Sequence, residues 1–214
     1  IPEVAYISMG QHLGAPAEPI VAPGDKVKVG QLIANANGFI SAPVHSSVSG
    51  TVKGIETVFD LAGNPCKAVV ITVEGDEWVE TIDRSDKIEK EIKLDSKEII
   101  EKIKECGIVG LGGATFPTNV KLSPPPGKKA EFLIINGAEC EPYLTSDYRV
   151  LIEMPEQVLI GAAIMMKALN VTQGFIGIEE NKPEAIKVMT EKAKGYPQIK
   201  IVSLKKKYPQ GGEK

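Results

Sequence analysis

Cysteine and histidine are scarce in this chain of 214 residues, which contains three cysteines and two histidines. No C-x-x-C pair occurs among Cys66, Cys106 and Cys140, so this stretch cannot assemble a zinc ribbon or an iron–sulfur cluster from cysteine ligands. At this chain length the three cysteines suit a reducing compartment better than a disulfide scaffold. His12 and His45 have too few metal-ligating neighbours in the sequence to indicate a metal site, and we interpret both as loop residues with hydrogen-bonded rings.

Long apolar runs and a strong charge of either sign are also missing. The longest nearly unbroken apolar stretch, Val158 to Met166, is far shorter than the ~20 residues that a membrane-spanning helix needs, and no signal peptide opens the chain. A formal net charge of −3 argues against non-specific binding to nucleic acid. The hydrophobic share of 43% is that of a folded globular protein. The ends, Ile1-Pro2 and Gly211-Gly212-Glu213-Lys214, lead us to expect a piece of a longer protein.

Residues 1–78 have the pattern of a small all-β domain. Runs of β-prone residues alternate with single glycines, and we predict strands over residues 26–29, 31–34, 51–55 and 68–74. Short strands separated by glycine are typical of a barrel or a sandwich rather than of βαβ units. The charged residues 79–95 are predicted to form a linker.

Residues 96–214 change to the pattern of an α/β domain. Ser96 is predicted to cap a first helix, Pro155 to open a second, and Asn181 to cap a third over residues 182–194. Strands are predicted over residues 132–135, 175–178 and 200–204. Strands that alternate with helices at this spacing indicate a mainly parallel sheet with crossover helices.

The β-rich part resembles the lipoyl and biotinyl carrier family, on residues 23–34, Ser41-Ala42-Pro43 and residues 49–52. In carriers, a lysine at a hairpin tip between these blocks takes the cofactor. Here Asn35 to Ser49 contains no lysine, which argues against a swinging-arm function. A barrel-sandwich module used for packing or docking is therefore our interpretation.

The highest glycine density lies between Gly107 and Lys121. Glycines at this density let a backbone approach a flat or anionic ligand and point N–H groups at it, and Lys121 can supply a positive charge to a phosphate. The segment is not a dinucleotide fingerprint, because it follows a predicted helix rather than a strand and precedes Pro124-Pro125-Pro126.

A polar cluster follows the predicted strand at residues 132–135, where ligands bind in open α/β sheets. Asn136 offers a donor and an acceptor, while Glu139 and Glu141 offer acceptors for ribose, ribityl or amide groups. The alternative interpretation is that the two glutamates are solvated loop charges.

Three segments together resemble the flavin- and NADH-binding subunit of respiratory complex I: residues 110–121, residues 136–142 and residues 208–213. Residues 11–16 and 122–126 bring the chain closer still to the family of the Rnf complex C subunits, and this resemblance covers nearly the whole chain. It implies a complex I flavin-subunit-like α/β domain that is preceded by a lipoyl-like barrel-sandwich module.

The same resemblance implies a function, cofactors and partners. The expected function is that of an NADH-dependent flavin oxidoreductase subunit, which exchanges electrons between NAD(H) and ferredoxin-linked iron–sulfur centres through FMN. Its expected partners are the other subunits of a membrane-bound electron-transport complex that couples the reaction to ion translocation, and a ferredoxin-type carrier chain. We expect a peripheral position on the cytoplasmic face of the cell membrane.

The resemblance also assigns cofactor-binding residues by position. The FMN contacts would be Gly110, Gly112, Gly113, Lys121, Asn136 and Glu139. The nicotinamide nucleotide would face Phe116 and Glu141, and the pocket would be closed by Tyr208, Gly211, Gly212 and Glu213. No residue is assigned as a catalytic acid or base, because the redox chemistry belongs to the cofactor.

The chain departs from the complex I pattern at Leu111, Ala138 and Pro124, which replace an arginine, an aspartate and an aromatic residue. These differences concern the NADH contacts more than the flavin contacts. Two further hypotheses stay open at this point: a soluble flavoprotein of the cobalamin-reductase type, and a docking scaffold without a cofactor.

The first prediction concerns the longer polypeptide. Two [4Fe–4S] clusters require two C-x-x-C-x-x-C-x-x-x-C-P runs, and we expect both beyond Lys214 because the three cysteines here cannot supply them. Sequencing the complete gene checks this expectation, and a continuation without such runs would contradict the redox-chain interpretation.

Overall fold

The computed structural model describes residues 2–60, 63–111, 113–139, 141 and 143–207. The chain divides into two compact units that alternate along the sequence: unit 1 contains residues 1–86 and 100–123, and unit 2 contains residues 87–99 and 124–214. The glycine-rich segment therefore groups with the β-rich residues. The domain limits that the sequence suggests, at residues 78 and 95, stay predictions.

Unit 1 is built from two antiparallel sheets. The strands that the structure describes in this unit are β1 (Val4–Ser8), β2 (Glu18–Pro19), β3 (Lys26–Val27), β4 (Leu32–Asn35), β5 (Val44–His45), β6 (Gly50–Phe59) and β7 (Pro65–Val73). Their order is β1-β7-β6-β3 in one sheet and β2-β4-β5 in the other. The predicted all-β architecture of this part is confirmed.

A single apolar core joins the strands of unit 1. Met9, Ile33, Val69 and Ile71 are completely buried, and Val52 is 1% exposed. Their burial removes apolar surface from water and supplies the main force that holds such a small module together. The predicted strand over residues 26–29 is shorter in the structure, because Gly30 turns the chain with a φ of 82°.

Two helices complete unit 1. The first, α1 (Ser96–Glu105), begins in unit 2 and ends in unit 1, and α2 (Thr118–Lys121) is a single turn after the glycine-rich segment. Asp95 caps α1: its Oδ1 accepts from the N–H groups of Lys97 and Glu98, and Glu98 Oε2 accepts from the Asp95 N–H. The predicted cap Ser96 is therefore wrong. A carboxylate at residue 95 and a glutamate three residues later form a capping box, and the Ser96 hydroxyl donates to the Ala168 carbonyl instead.

Unit 2 contains the predicted parallel sheet, which the structure confirms. Its strands β8 (Leu133–Asn136), β9 (Gly174–Glu179) and β10 (Ile199–Leu204) lie in the order β10-β9-β8 and pair in parallel. The connecting helices are α3 (Ser146–Glu153), α4 (Pro155–Leu169) and α5 (Pro183–Ala193). Because parallel strands end at the same edge of a sheet, the residues after β8 and β9 share that edge.

The core of unit 2 packs these helices on the sheet. Leu159 of α4 and Met189 of α5 are completely buried with Ile176 and Ile178 of β9. Pro155 opens α4 as predicted, but the predicted cap Asn181 is wrong. The residue before α5 is Lys182, which has no side-chain cap bond, and the helix begins at a proline, whose fixed φ suits a first helical position.

We predict that Gly50→Ala destabilises unit 1 by about 2–4 kcal/mol. Gly50 has a φ of 152°, and a Cβ there would lie 2.0 Å from the Thr72 carbonyl oxygen of the paired strand. Gly54→Ala is the control in the same strand, because its Cβ would meet nothing within 4 Å. Urea unfolding measures both variants, and equal midpoints would contradict the prediction.

Candidate functional site

Gly107, the first glycine of the glycine-rich segment, terminates helix α1. Gly107 has a φ of 64°, its N–H donates to the Lys104 carbonyl, and the Ile108 N–H donates to the Ile103 carbonyl. This pair of bonds is a Schellman cap, which needs a left-handed residue at that position. A Cβ on Gly107 would also lie 2.4 Å from the Pro43 carbonyl oxygen. The helix cap and the close approach to Pro43 therefore account for a glycine at residue 107 without any ligand contact.

We call residues 110–116 the glycine loop; its described residues, 110, 111 and 113–116, lie in a turn that is closed at its base. An antiparallel bridge pairs Val109 with Pro117, and the Gly110 N–H donates to the Phe116 carbonyl oxygen at 2.9 Å. The tip projects into solvent, and Leu111 is 92% exposed. The sequence therefore builds a short neck that holds an exposed backbone turn.

The tip of the glycine loop presents unpaired backbone donors. Within the described part of the chain, the N–H groups of Leu111, Gly113 and Ala114 donate to no other residue. Gly113 has a φ of 98° and open space around the position of a Cβ. Lys121 approaches the neck, because its Nζ lies 3.7 Å from where a Cβ on Gly110 would stand. Backbone donors beside an ammonium group suit an anionic ligand.

The edge of the parallel sheet carries the second predicted group. Asn136 is the last residue of β8, and its Oδ1 accepts from the Ala138 N–H at 3.1 Å, which leaves an exposed amide. The Gly137 N–H donates to the Gly177 carbonyl oxygen, and a Cβ on Gly137 would lie 2.9 Å from that oxygen. Gly137 is therefore required for the close approach of β8 and β9.

Glu139 is buried at this edge, with a side chain that is 2% exposed. Its Oε1 accepts from the Asp147 N–H at 2.8 Å, so it caps the first turn of α3, where Thr145 provides no side-chain cap. Its Oε2 lies 3.3 Å from Lys182 Nζ but in a direction that makes no hydrogen bond, and Oε2 is the one buried side-chain oxygen or nitrogen among the described residues without such a partner. A buried acceptor left in this way can accept from a ligand.

Lys182 is a residue that the sequence interpretation missed. It follows β9, its Nζ stands 5.0 Å from the centroid of the Tyr148 ring, and the Tyr148 hydroxyl donates to Glu184 Oε2 at 2.6 Å. The Glu184 hydrogen bond, followed by desolvation, raises the pKa of Tyr148 above its usual value. The signal that could have found Lys182 is its place directly after the second parallel strand, at the edge where Glu139 follows the first.

The predicted site residues fall into separate groups. Gly110, Gly113, Phe116 and Lys121 all belong to unit 1. Asn136 and Glu139 share the β8 edge of unit 2. Glu141 also belongs to unit 2 and is exposed. The remaining predicted residues lie outside the described residues: Gly112, Tyr208, Gly211, Gly212 and Glu213.

The two histidines differ in their surroundings. His12 has a hydrogen-bonded ring, as expected, whereas His45 lies in β5 and its ring bonds to no described residue. Burial lowers the pKa of His45. The interpretation of His45 as a hydrogen-bonded loop residue is therefore wrong, because the short β4–β5 pairing places residues 44–45 in a strand.

Three open cavities among the described residues of unit 1 lie away from the predicted site residues, with volumes of about 700, 420 and 480 Å³. The cavity of about 700 Å³ is lined by Tyr6, Ser8, Gly10, Val58, Phe59, Asp60 and Cys66. Within the described ranges, no group of three or more His, Cys, Asp or Glu side chains could hold a metal ion.

Comparisons with known families match both parts of the chain. Residues 103–214 match the model of the Nuo51 FMN-binding domain, and residues 1–76 match that of the RnfC barrel sandwich hybrid domain. These matches confirm the resemblance that rested on the motifs, and at the level of fold they confirm a barrel-sandwich module followed by an FMN-binding type of domain.

Similar proteins extend along the whole chain. It is 49% identical, over 100% of its length, to the C subunit of the proton-translocating ferredoxin:NAD(+) oxidoreductase complex of Clostridium ljungdahlii, and it covers 46% of that protein. It is 44% identical to the Na(+)-translocating counterpart of Acetobacterium woodii, of which it covers 48%. The chain thus spans about half the length of these relatives. A chain of the NAD+-reducing [NiFe]-hydrogenase crystal structure is similar over 51% of this chain and 20% of its own, at 22% identity and a TM-score of 0.41, too low to support an argument.

We predict that Glu139→Ala lowers the free energy of unfolding by about 2 kcal/mol, because it removes the cap of α3 and the partner of Lys182. Glu141→Ala is the matched control, since Glu141 is exposed, and should change stability by no more than about 0.5 kcal/mol. Chemical unfolding checks both variants. Equal effects would mean that Glu139 does not hold α3.

Proposed function

Because the chain belongs to the family of the Nuo51 FMN-binding domain, we propose that it is the flavin-binding part of a peripheral redox subunit of the Rnf type. In this proposal the subunit exchanges electrons between NAD(H) and ferredoxin-linked iron–sulfur centres through FMN. Identity of 44–49% along the whole chain to proteins named as C subunits of ferredoxin:NAD(+) oxidoreductase complexes supports it. The iron–sulfur clusters belong, in this proposal, to sequence outside this chain.

The proposed partners are the other subunits of a membrane-bound electron-transport complex, which couple the reaction to ion translocation, and a ferredoxin-type carrier chain. Among the residues that the structure describes, none of the helices combines the length and the apolar character needed to cross a membrane. We propose that partner subunits hold this chain at the cytoplasmic face of the membrane.

The observation that carries the proposal is the position of Lys121 beside the glycine loop. The loop exposes backbone N–H groups at Leu111, Gly113 and Ala114, and the Lys121 ammonium lies close to Gly110 at the neck of the same turn. Lys121 forms no ion pair within the described ranges, so its charge is available to a ligand. These donors suit the phosphate or another anionic part of FMN.

The residues at the sheet edge of unit 2 fit the polar groups of FMN in a different way. Asn136 presents an exposed amide, and Glu139 has a buried oxygen, Oε2, without a hydrogen-bond partner. A buried acceptor without a hydrogen bond is costly even beside the Lys182 ammonium, and a donor such as a ribityl hydroxyl or the flavin N–H would satisfy it. We propose Asn136 and Glu139 as FMN contacts on this basis.

FMN, when bound, supplies the hydride-accepting and single-electron chemistry that links a nicotinamide nucleotide to iron–sulfur centres. The chain's own contribution is binding, orientation and charge. The glycine loop presents oriented donors, Lys121 neutralises negative charge, and Glu139 accepts a hydrogen bond from a buried position. No side chain here needs to transfer a proton as a catalytic acid or base.

Contacts to the nicotinamide nucleotide are proposed for Phe116, which is half-buried at the neck of the glycine loop, and for the exposed Glu141. An aromatic ring offers a stacking surface, and a carboxylate accepts from ribose hydroxyls. The proposed set is completed, on resemblance alone, by Gly112, Tyr208, Gly211, Gly212 and Glu213, all outside the described residues.

A titration of the complete polypeptide with FMN, followed by the quenching of flavin fluorescence, tests the proposal. We expect saturable binding, and we expect Lys121→Ala to weaken it about 10- to 100-fold, the effect of losing a charge-assisted hydrogen bond. Lys53→Ala, which removes an exposed lysine from β6, is the control for net charge and should leave the affinity unchanged.

Two outcomes would contradict the proposal. The absence of saturable binding by the wild-type polypeptide would favour the docking-scaffold hypothesis instead. Equal affinity of wild type and Lys121→Ala would leave a flavoprotein whose glycine loop does not bind FMN.

A further inference from the structure

Residues 10–16 of unit 1, which we call the clamp loop, contain the sequence Gly-Gln-His-Leu-Gly-Ala-Pro and have no role in the function proposed above. The loop follows β1 and precedes β2. Its Leu13 N–H donates to the carbonyl oxygen of Thr115 in the glycine loop at 3.2 Å. The β-rich sequence thus makes a direct backbone contact with the loop that is proposed to bind FMN.

Thr115 has a strained backbone conformation that needs support from its surroundings. Its φ is 47°, in the left-handed region that β-branched residues rarely adopt. Such a conformation persists only where surrounding contacts fix it. The contacts in question are the bond from Leu13 on one side and the Gly110–Phe116 bond at the neck on the other.

His12 anchors the clamp loop itself. The side chain is buried at 9% exposure, its Nε2 accepts from the Ala42 N–H at 3.2 Å, and its Nδ1 lies 3.3 Å from the Leu13 carbonyl oxygen. Because a carbonyl oxygen can only accept, Nδ1 carries the proton and donates to Leu13. One neutral imidazole therefore ties Leu13, the residue that contacts Thr115, to the segment before β5.

The rest of the clamp loop packs closely on the hairpin formed by β4 and β5. The Ala15 N–H donates to the Ile40 carbonyl oxygen, Ser41 Oγ donates to the Ala15 carbonyl oxygen, and Gly14 approaches Ile40 so closely that a Cβ would lie 2.1 Å from its oxygen. This hairpin lies in the Asn35–Ser49 stretch where a carrier domain would present its lysine. Here the stretch has no lysine and supports the clamp loop.

The other end of the glycine-rich segment rests on the same hairpin. Gly107, which ends α1, stands so near Pro43 that a Cβ would lie 2.4 Å from the Pro43 oxygen and 3.6 Å from His45 Nδ1. The segment from Gly107 to Thr115 is thus held at both ends by residues that come from the β-rich sequence.

We propose that the clamp loop, held by the β4–β5 hairpin, fixes the conformation of the glycine loop, and that His12 is the positioning residue. Because these contacts order the glycine loop before binding, the loop loses less conformational entropy when an anionic ligand binds. Only this consequence for FMN rests on the proposed function, since the clamp is a property of unit 1 without ligand.

Amide hydrogen exchange of the complete polypeptide without FMN tests the clamp. We expect His12→Ala to raise the exchange rates of the two hydrogen-bonded amides, Leu13 and Gly110, about tenfold, while the amides of β6 and β7 keep their protection. His12→Gln should restore most of the protection, because its side-chain oxygen can accept from the Ala42 N–H. Gln11→Ala is the matched control in the same loop, because the Gln11 side chain is exposed and bonds only to the Ser8 carbonyl oxygen.

A second measurement needs no variant. In the wild type, the Leu13 amide should be protected to the same degree as the Gly110 amide, which is hydrogen-bonded at the neck of the glycine loop. A Leu13 amide that exchanges freely, or a His12→Ala variant whose Leu13 and Gly110 amides stay as protected as in the wild type, would overturn the proposal. An increase of equal size in β6 and β7 would also overturn it, because it would show only a general loss of stability.

FMN titration of the same variants separates the two proposals. His12→Ala should bind FMN more weakly and His12→Gln close to wild type. A wild type that binds no FMN would refute the proposed function, and the exchange experiment would still decide on the clamp.

Discussion

The exposed turn at residues 110–116 depends on one short backbone closure, the bridge between Val109 and Pro117 with its bond from the Gly110 N–H to the Phe116 carbonyl. A turn that offers its N–H groups to a ligand cannot use them to hold its own shape, so its shape must come from the neck and from neighbours. This constraint explains the helix cap at Gly107, the strained Thr115 and the contact from Leu13.

The edge of the parallel sheet follows a different principle. Strands β8 and β9 end side by side, so the residues that follow them are polar and close together without any special loop geometry. The two carboxylate oxygens of Glu139 have different surroundings. Oε1 caps α3, whereas Oε2 lies near Lys182 Nζ without a hydrogen bond. Oε1 therefore stabilises α3, and the ligand contact that we propose for Glu139 involves Oε2.

The sequence predicted the elements that depend on periodicity and missed those that depend on distant partners. The parallel strands, the α4 proline and the all-β pattern were predictable because local pattern and tertiary packing agree there. The caps of α1 and α5 were assigned one residue away from their positions in the structure, since several polar residues at each helix start could serve. His45 was interpreted wrongly and Lys182 was missed, because a local sequence window shows neither burial nor a partner more than 40 residues away.

By itself, the sequence determined the two kinds of architecture, the family, and the residue types that an FMN-binding role needs, because periodicity, glycine spacing and motif order are written in the chain. Only the tertiary structure decided which unit each group joins. The tertiary structure groups the glycine-rich segment with the β-rich residues, and it places the His12 ring in hydrogen-bonding contact with Leu13 and Ala42. The physical reason is that these contacts join residues far apart in the chain. A backbone hydrogen bond leaves little trace in residue identity, and a glycine can indicate a close approach without showing which distant segment makes it.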